Sequence, residues 1–120
     1  MRKIDLISDR QNRFIFDRWI RPRITPGIIE EHRSNPFGKH SPDLDIVMNY
    51  FRRSPDPLRR AYVIVKIAPG EYQIGEAPWT RGQPIRMIDD QIFGSEQEAE
   101  HGAFLRQLAD AGIDPSGVVD

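Results

Sequence analysis

Three histidines, His32, His40 and His101, are the side chains in this sequence best suited to metal binding or acid–base chemistry. Their spacing matches none of the short metal-binding motifs, such as two histidines four residues apart on one helix. Cysteine is absent, which excludes thiolate ligands, disulfides and thiol nucleophiles. Only the fold could bring three such distant histidines together. From residue types and spacing, we therefore predict no metal site in this chain.

The stretch His40-Ser41-Pro42-Asp43 is the second place where chemistry could occur, because it sets a hydroxyl beside an imidazole and a carboxylate. It lacks the glycines that flank a nucleophilic serine in a strand–helix elbow. A hydroxyl, a proline and a carboxylate in this order also start a helix, since each suits the first turn. We therefore assign Ser41 and Asp43 to helix initiation and predict no catalytic residue.

Two helices are predicted in the first half of the chain. Thr25 followed by proline starts the first helix, and Pro36 ends it. His32 follows Ile28 by four residues, so we expect a packed, hydrogen-bonded histidine rather than a ligand. The second helix starts at Ser41, and its apolar residues have the spacing of a buried face. These residues are Leu44, Val47, Met48 and Phe51.

Strands are predicted in the second half, where the hydrophobic period changes from helical spacing to two. Residues 62–67, Tyr-Val-Ile-Val-Lys-Ile, are apolar on both sides and predict an interior strand. A turn through Gly70 joins them to residues 72–77. Because a lone hairpin is marginally stable, a third strand is expected within residues 84–89.

The last predicted element is a helix, which begins with a capping box of Ser95 and Glu98 and ends near Gly112. Helices and strands are segregated along the chain, which indicates the α+β class. We expect a small antiparallel β-meander, a hairpin plus one strand, packed by the C-terminal helix, with N-terminal helices. The predicted divisions are a basic and aromatic arm at 1–24, a single α+β domain at 25–112 and a frayed tail at 113–120.

Charge divides the chain into two unlike halves. Residues 1–60 hold 13 Lys/Arg and 8 Asp/Glu, whereas residues 61–120 hold 4 and 10. The acidic half would repel phosphates, so a protein partner is favoured over nucleic acid. No apolar run is long enough for a membrane helix, and the N-terminus lacks a secretory h-region. We expect a cytoplasmic protein without membrane contact.

The segment around Trp19 has the composition of a binding surface, because Trp and Arg are enriched where proteins meet. The pairs Ile15–Trp19 and Phe16–Ile20 predict a short helix with two apolar sides, of which one faces either this chain or another chain. The loop Phe37-Gly38-Lys39-His40 carries an aromatic and two basic groups, which is more than a helix cap requires. The predicted partner-binding residues are Phe14, Arg18, Trp19, Arg21, Phe37, Lys39 and His40.

Three longer strings connect these elements to a known family. They are EEHRSNPFGKHSPDLDIVMNYFRRSP, YVIV with EYQIGE, and SEQEAEHGAFLRQL. Together they resemble the small (alpha) subunit of N,N-dimethylformamidase over roughly residues 25–110. The resemblance implies an enzyme of small and large subunits that hydrolyses an amide to a carboxylic acid and an amine. It also implies that the iron and its ligands belong to the large subunit, so that this chain holds no cofactor.

The expected function is therefore that of a non-catalytic small subunit, which supports the large, iron-containing subunit of an amide hydrolase resembling dimethylformamidase. By the resemblance, its partner is that large subunit, and self-association is a further option. The alternative is a stand-alone homodimeric module with an accessory or regulatory binding role. In that alternative, the basic half would meet an acidic partner or nucleic acid. Salt distinguishes the two hypotheses, because phosphate binding weakens steeply with salt, whereas hydrophobic docking of a subunit hardly changes.

Overall fold

The computed structural model describes residues 13–53, 62–78 and 82–117. An N-terminal segment, residues 13–23, contains a π-helix at Phe16–Ile20 and a 3-10 turn at Arg21–Arg23. The α-helices are α1 (Pro26–Ser34), α2 (Pro42–Arg53) and α3 (Glu96–Asp110). The strands are β1 (Tyr62–Ala68), β2 (Glu71–Glu76) and β3 (Arg86–Met87), and a 3-10 turn follows at Pro115–Gly117. The α+β prediction is confirmed.

Each α-helix begins where its capping residue predicts. Thr25, Ser41 and Ser95 each accept a hydrogen bond from the backbone N–H three residues later, at 3.3, 3.4 and 3.1 Å. Such a bond satisfies one of the N–H groups that a helix start leaves without a partner. In α3, the Glu98 carboxylate accepts from the Gly94 N–H at 3.3 Å, one residue before the cap. The helix starts are thus encoded locally.

The junction between α1 and α2 is held by a carboxylate that the sequence pattern did not reveal. Glu31 of α1 accepts hydrogen bonds from both the backbone N–H and the hydroxyl of Ser41, each at 2.6 Å. Both bonds lower the pKa of the Glu31 carboxyl from its usual value, and the bond from the hydroxyl has the larger effect. This clamp fixes the two ends of the intervening loop, residues 35–40.

Helix α3 lies between two layers, with the other helices on one side and the sheet on the other. On the helical side, its Phe104 and Leu108 enter the main core. On the sheet side, Gly102 permits close approach, since a Cβ there would lie 2.8 Å from the Phe93 ring and 3.3 Å from Ile74. The buried members of the main core are Phe16, Ile20, Ile24, Ile28, Leu44, Val47, Phe51, Phe104, Leu108, Ala111 and Ile113.

The main core runs past both ends of the domain predicted at 25–112. Phe16 and Ile20, from the predicted arm, are 1% and 5% exposed, and Ile113, from the predicted tail, is 7% exposed. Residues 1–12 and 118–120 lie outside the described residues. The described parts of the arm and the tail therefore pack into the same core as the helices.

The sheet has the order β1-β2-β3, with both pairs antiparallel. The third strand is confirmed, and Gly70 has the positive φ of 73° that its turn requires. The prediction that β1 is an interior strand is wrong, because β1 forms an edge of the described sheet. The apolar residues of β1 instead have two different surroundings. Ile64 lies opposite Ile74 on the side that faces α3, whereas Ile67 is 49% exposed.

Candidate functional site

The fold brings the three histidines together between α1, α3 and the 35–40 loop. The Nδ1 atoms of His32 and His101 lie 2.9 Å apart, although the residues are 69 positions apart in the sequence. The His32 ring stacks on the Phe104 ring, with the two centroids 4.2 Å apart. The centroid of the His40 ring lies 6.1 Å from that of His32. We call these three histidines with Phe104 the histidine cluster.

Hydrogen bonds already occupy a nitrogen of each histidine. The contact between His32 and His101 requires one Nδ1 to donate a proton to the other. The Nε2 of His40 lies 2.6 Å from the Asn35 carbonyl, and because a carbonyl only accepts, this nitrogen donates. Within residues 13–53, 62–78 and 82–117, no three His, Asp or Glu side chains are arranged to hold a metal ion.

Burial keeps the histidine pair uncharged. Desolvation lowers the pKa of His32 to about 4, and repulsion from His101 and His40 adds to this effect. The pKa of His101 is lowered mainly by burial and to a lesser extent by the positive charge of Arg33, whereas the negative charge of Glu30 acts in the opposite direction. At neutral pH both rings are therefore neutral and can share a single hydrogen bond. The prediction that His32 is a packed, hydrogen-bonded histidine is confirmed.

Ser41 and His40 do not form a nucleophile–base pair. The Ser41 hydroxyl donates to Glu31, and its oxygen accepts from the first turn of α2. The His40 Nε2 donates to the Asn35 carbonyl, and its Nδ1 lies 3.8 Å from Asp45. In this arrangement, these groups can hold the loop and the helix start, and neither activates the other.

The 35–40 loop is closed by Asn35, which accepts hydrogen bonds at both its backbone carbonyl and its side-chain oxygen. Its carbonyl accepts from His40, and its side-chain oxygen accepts from the Gly38 N–H at 3.0 Å. A Cβ at position 38 would collide with the Asn35 side chain and displace it, so glycine lets this hydrogen bond form. Phe37 is 54% exposed and Lys39 is also exposed, whereas the His40 side chain is 6% exposed. Of the three partner-binding residues predicted in this loop, Phe37 and Lys39 are thus the two that face solvent.

The N-terminal segment has the two apolar sides that its spacing predicts. Phe16 and Ile20 enter the core, whereas Phe14, Ile15 and Trp19 are 62%, 43% and 56% exposed. The Arg18 guanidinium lies 5.6 Å from the centroid of the Trp19 ring. We call the exposed group Phe14, Ile15, Arg18 and Trp19 the Trp19 surface. It joins large apolar area with a cation, as protein-binding surfaces commonly do.

Arg21, also a predicted partner-binding residue, has contacts within the chain. Its Nε donates to Asp17 at 3.2 Å, and its guanidinium lies 5.5 Å from the buried Phe16 ring. Asp17 in turn lies 3.4 Å from Arg13. Arg21 therefore stabilises the N-terminal segment at the margin of the Trp19 surface, and its contact with a partner stays a prediction.

Comparison with known proteins identifies the family. A sequence model described as "N,N-dimethylformamidase alpha subunit" matches residues 7–115. The chain belongs to this family. Two curated relatives are also named N,N-dimethylformamidase alpha subunit: one from Paracoccus aminophilus is 36% identical over 88 residues, and one from Alcaligenes sp. is 38% identical over 94 residues.

These matches cover 71% of this chain in both cases, and 60% and 64% of the two relatives. The chain thus spans less than two thirds of the length of either dimethylformamidase alpha subunit. Membership confirms the resemblance found in the sequence strings. None of the helices in the described part of the chain has the length and apolar character needed to cross a membrane.

Sequence reasoning missed the pairing of His32 with His101 and the clamp between Glu31 and Ser41. A weak signal for the pair was present, because His32 follows Ile28 by four residues and His101 precedes the apolar face of α3. Both histidines could therefore be placed on inner helix faces. That the two faces meet is a property of the helix packing, which local spacing does not contain.

Proposed function

We propose that this chain is the small, non-catalytic subunit of a two-subunit amide hydrolase of the N,N-dimethylformamidase type, and that it acts in the cytoplasm. The observation that carries the proposal is the family match over residues 7–115. The polar groups that could do chemistry support it, because His32, His101 and Ser41 are bonded within their own fold.

In this proposal, the large subunit would hold an iron ion, which would supply a Lewis acid for polarising the amide carbonyl and activating water. The proposal places no iron in this chain, and it is supported by the hydrogen bonds that engage one nitrogen of each of the three histidines. The residues of this chain act instead by binding the large subunit and by keeping the shape of the surface that binds it.

The Trp19 surface is the proposed contact with the large subunit. Exposed aromatic side chains beside arginine are the residues that most often dominate binding energy. Trp19 offers a large ring of which about half of the area is accessible, and Arg18 lies over it. Phe37 and Lys39 form a second proposed contact, presented by the rigid 35–40 loop.

The decisive experiment is co-expression of this chain with a candidate large subunit of the dimethylformamidase type. We expect a stable complex that contains iron and releases an amine from N,N-dimethylformamide. The chain alone should self-associate and show no hydrolysis. A chain that is a stable monomer, and that leaves the assembly and activity of the large subunit unchanged, would contradict the proposal.

Metal analysis of variants tests where the iron lies. His40→Ala and His32→Gln each remove an imidazole from this chain, and we expect the iron content of the folded complex to stay the same. Circular dichroism should confirm that each variant remains folded. Loss of iron in proportion to the removed imidazole would place the metal in the histidine cluster and refute this part of the proposal.

A further inference from the structure

A pocket of about 360 Å³ lies beside the 35–40 loop, where the loop, α2 and α3 meet. Phe37 supplies an aromatic wall from the loop, and Met48 and Asn49 supply walls from α2. The volume is at the lower end of the range for small-ligand sites, which suits one side chain better than a cofactor. The pocket is separate from the Trp19 surface residues, none of which lines it.

Two carboxylates reach this pocket, Asp45 from α2 and Glu100 from α3. Glu100 is half-buried, and among the described residues it has no hydrogen bond and no ion pair. Burial, followed by repulsion from Glu96, raises the pKa of its carboxyl. Both causes indicate that its negative charge is poorly compensated in this chain. A cation placed next to Glu100 would supply the missing compensation.

One cation of this chain, Arg52, lines the same pocket, and its charge has to be weighed against the carboxylates. Its guanidinium donates to the Asn49 side chain at 3.1 Å and lies beyond ion-pair distance of Glu100. The His40 imidazole also lines the pocket, with its Nδ1 3.8 Å from Asp45. Among the lining residues, the two carboxylates of Asp45 and Glu100 thus outnumber the single guanidinium of Arg52.

We propose that this pocket receives the side chain of an arginine from the large subunit, with the guanidinium between Glu100 and Asp45 and flat against Phe37. The proposal rests on the proposed function for its source of arginine. Arginine fits better than lysine because its planar group stacks on an aromatic ring while its several N–H donors reach two carboxylates. The stem of an arginine would lie along Met48, which is partly buried.

The chemistry of the pocket can be tested on the full chain with N-acetyl-arginine amide as the probe. The chain has three methionines, and labelling their methyl groups with ¹³C gives a signal for Met48 inside the pocket. We expect a saturable shift of the Met48 signal and an unchanged signal for Met87, which lies on β3. N-acetyl-citrulline amide has the same shape without the charge and should not bind.

Two glutamine variants on one helix make the test specific. Glu100→Gln should weaken probe binding at least about tenfold, since a charge-assisted bond is lost. Glu96→Gln makes the same change of net charge one turn away, outside the pocket lining, and should keep binding. Three outcomes would each overturn the proposed arginine site. The citrulline probe could bind as tightly as the arginine probe, or Glu100→Gln could bind the arginine probe as tightly as the wild-type chain. The third is a shift of the Met87 signal as large as that of Met48.

The complex with the large subunit tests the source of the arginine. Glu100→Gln should raise the dissociation constant of that complex about tenfold, and Glu96→Gln should leave it unchanged. If the chain binds the probe but Glu100→Gln leaves the dissociation constant of the complex unchanged, the arginine does not come from the large subunit. Failure of the complex to form at all would instead refute the proposed function, while the probe result would still decide the pocket.

Discussion

The histidine cluster and the Trp19 surface are built from similar aromatic and basic side chains, yet the chain buries one and exposes the other. His32 is 1% exposed, between Phe104 and His101, whereas Trp19 is 56% exposed, with Arg18 over its ring. The residues that look most catalytic are thus used to join α1 to α3. The residues that remain available to another molecule are those typical of protein interfaces.

The largest effect should come from the two sides of the N-terminal segment. Phe16→Ala removes a side chain that is 1% exposed, and it should lower the free energy of unfolding by about 3–5 kcal/mol. Ile15→Ala, on the exposed side, should change it by less than about 0.5 kcal/mol. Urea denaturation at concentrations where the chain is monomeric measures both. Similar losses in the two variants would contradict the division of the segment into a buried and an exposed side.

The next effect concerns pH and the buried cluster. The pKa of His32 is about 4 in the folded chain, below its ordinary 6.5, so the unfolded chain binds the proton more tightly. The His32 contribution should therefore be complete above pH 6.5 and fall by about 3 kcal/mol as the pH decreases towards 4. His101, whose pKa is also lowered, should add to the loss in the same direction. The hydrogen bonds from Ser41 lower the pKa of the Glu31 carboxyl, so its contribution to stability is lost only at the acid end of this range.

Free energies of unfolding, measured between pH 7.5 and pH 4, test this window. His32→Gln removes the titrating ring and should show a flatter dependence than the wild-type chain across that range. The same slope in both proteins would mean that His32 is not responsible for the acid sensitivity.

A smaller effect is expected in the 35–40 loop, which links the buried His40 to the exposed Phe37. Gly38→Ala places a methyl group against the Asn35 side chain, and it should lower the free energy of unfolding by about 1–3 kcal/mol. Gly27→Ala is the matched control, because its added Cβ would lie 3.6 Å from Thr25 Oγ1, an ordinary contact. In α1 this alanine should be neutral or stabilising by up to about 1 kcal/mol. Equal losses of stability in the two variants would show that the Asn35 side chain leaves room for a methyl group at position 38.

The smallest effect on stability should come from Trp19→Ala, which removes an exposed ring and should change the free energy of unfolding by less than about 0.5 kcal/mol. The same change should weaken the complex with the large subunit at least about tenfold, as measured by titration calorimetry. Ile67→Ala removes a side chain of similar exposure, 49%, from β1 and should leave the affinity unchanged. A Trp19 variant that binds normally would remove the Trp19 surface from the interface.

The sequence was sufficient for features that depend on neighbouring residues. Thr25, Ser41 and Ser95 start their helices because a cap bonds the backbone three residues away, and Gly70 turns the hairpin through its positive φ. The family could also be found, because its residues form continuous strings. These are properties of short stretches of chain.

Features that depend on packing could not be found in this way. β1 is apolar on both sides, as an interior strand is, but its place at the edge depends on which strands pair with it. His32 and His101 meet only because α1 packs on α3. The same holds for the pocket, whose Glu100 and Phe37 come from distant parts of the sequence and become neighbours only through three packed elements.

The central position of α3 has a consequence for the order of events during synthesis. The N-terminal segment, α1 and α2 leave the ribosome before α3, and so does the sheet, yet both layers bury their apolar sides against α3. Neither layer can therefore bury its apolar side until residues 96–110 have been made. A growing chain that stops before α3 would expose both apolar sides at once.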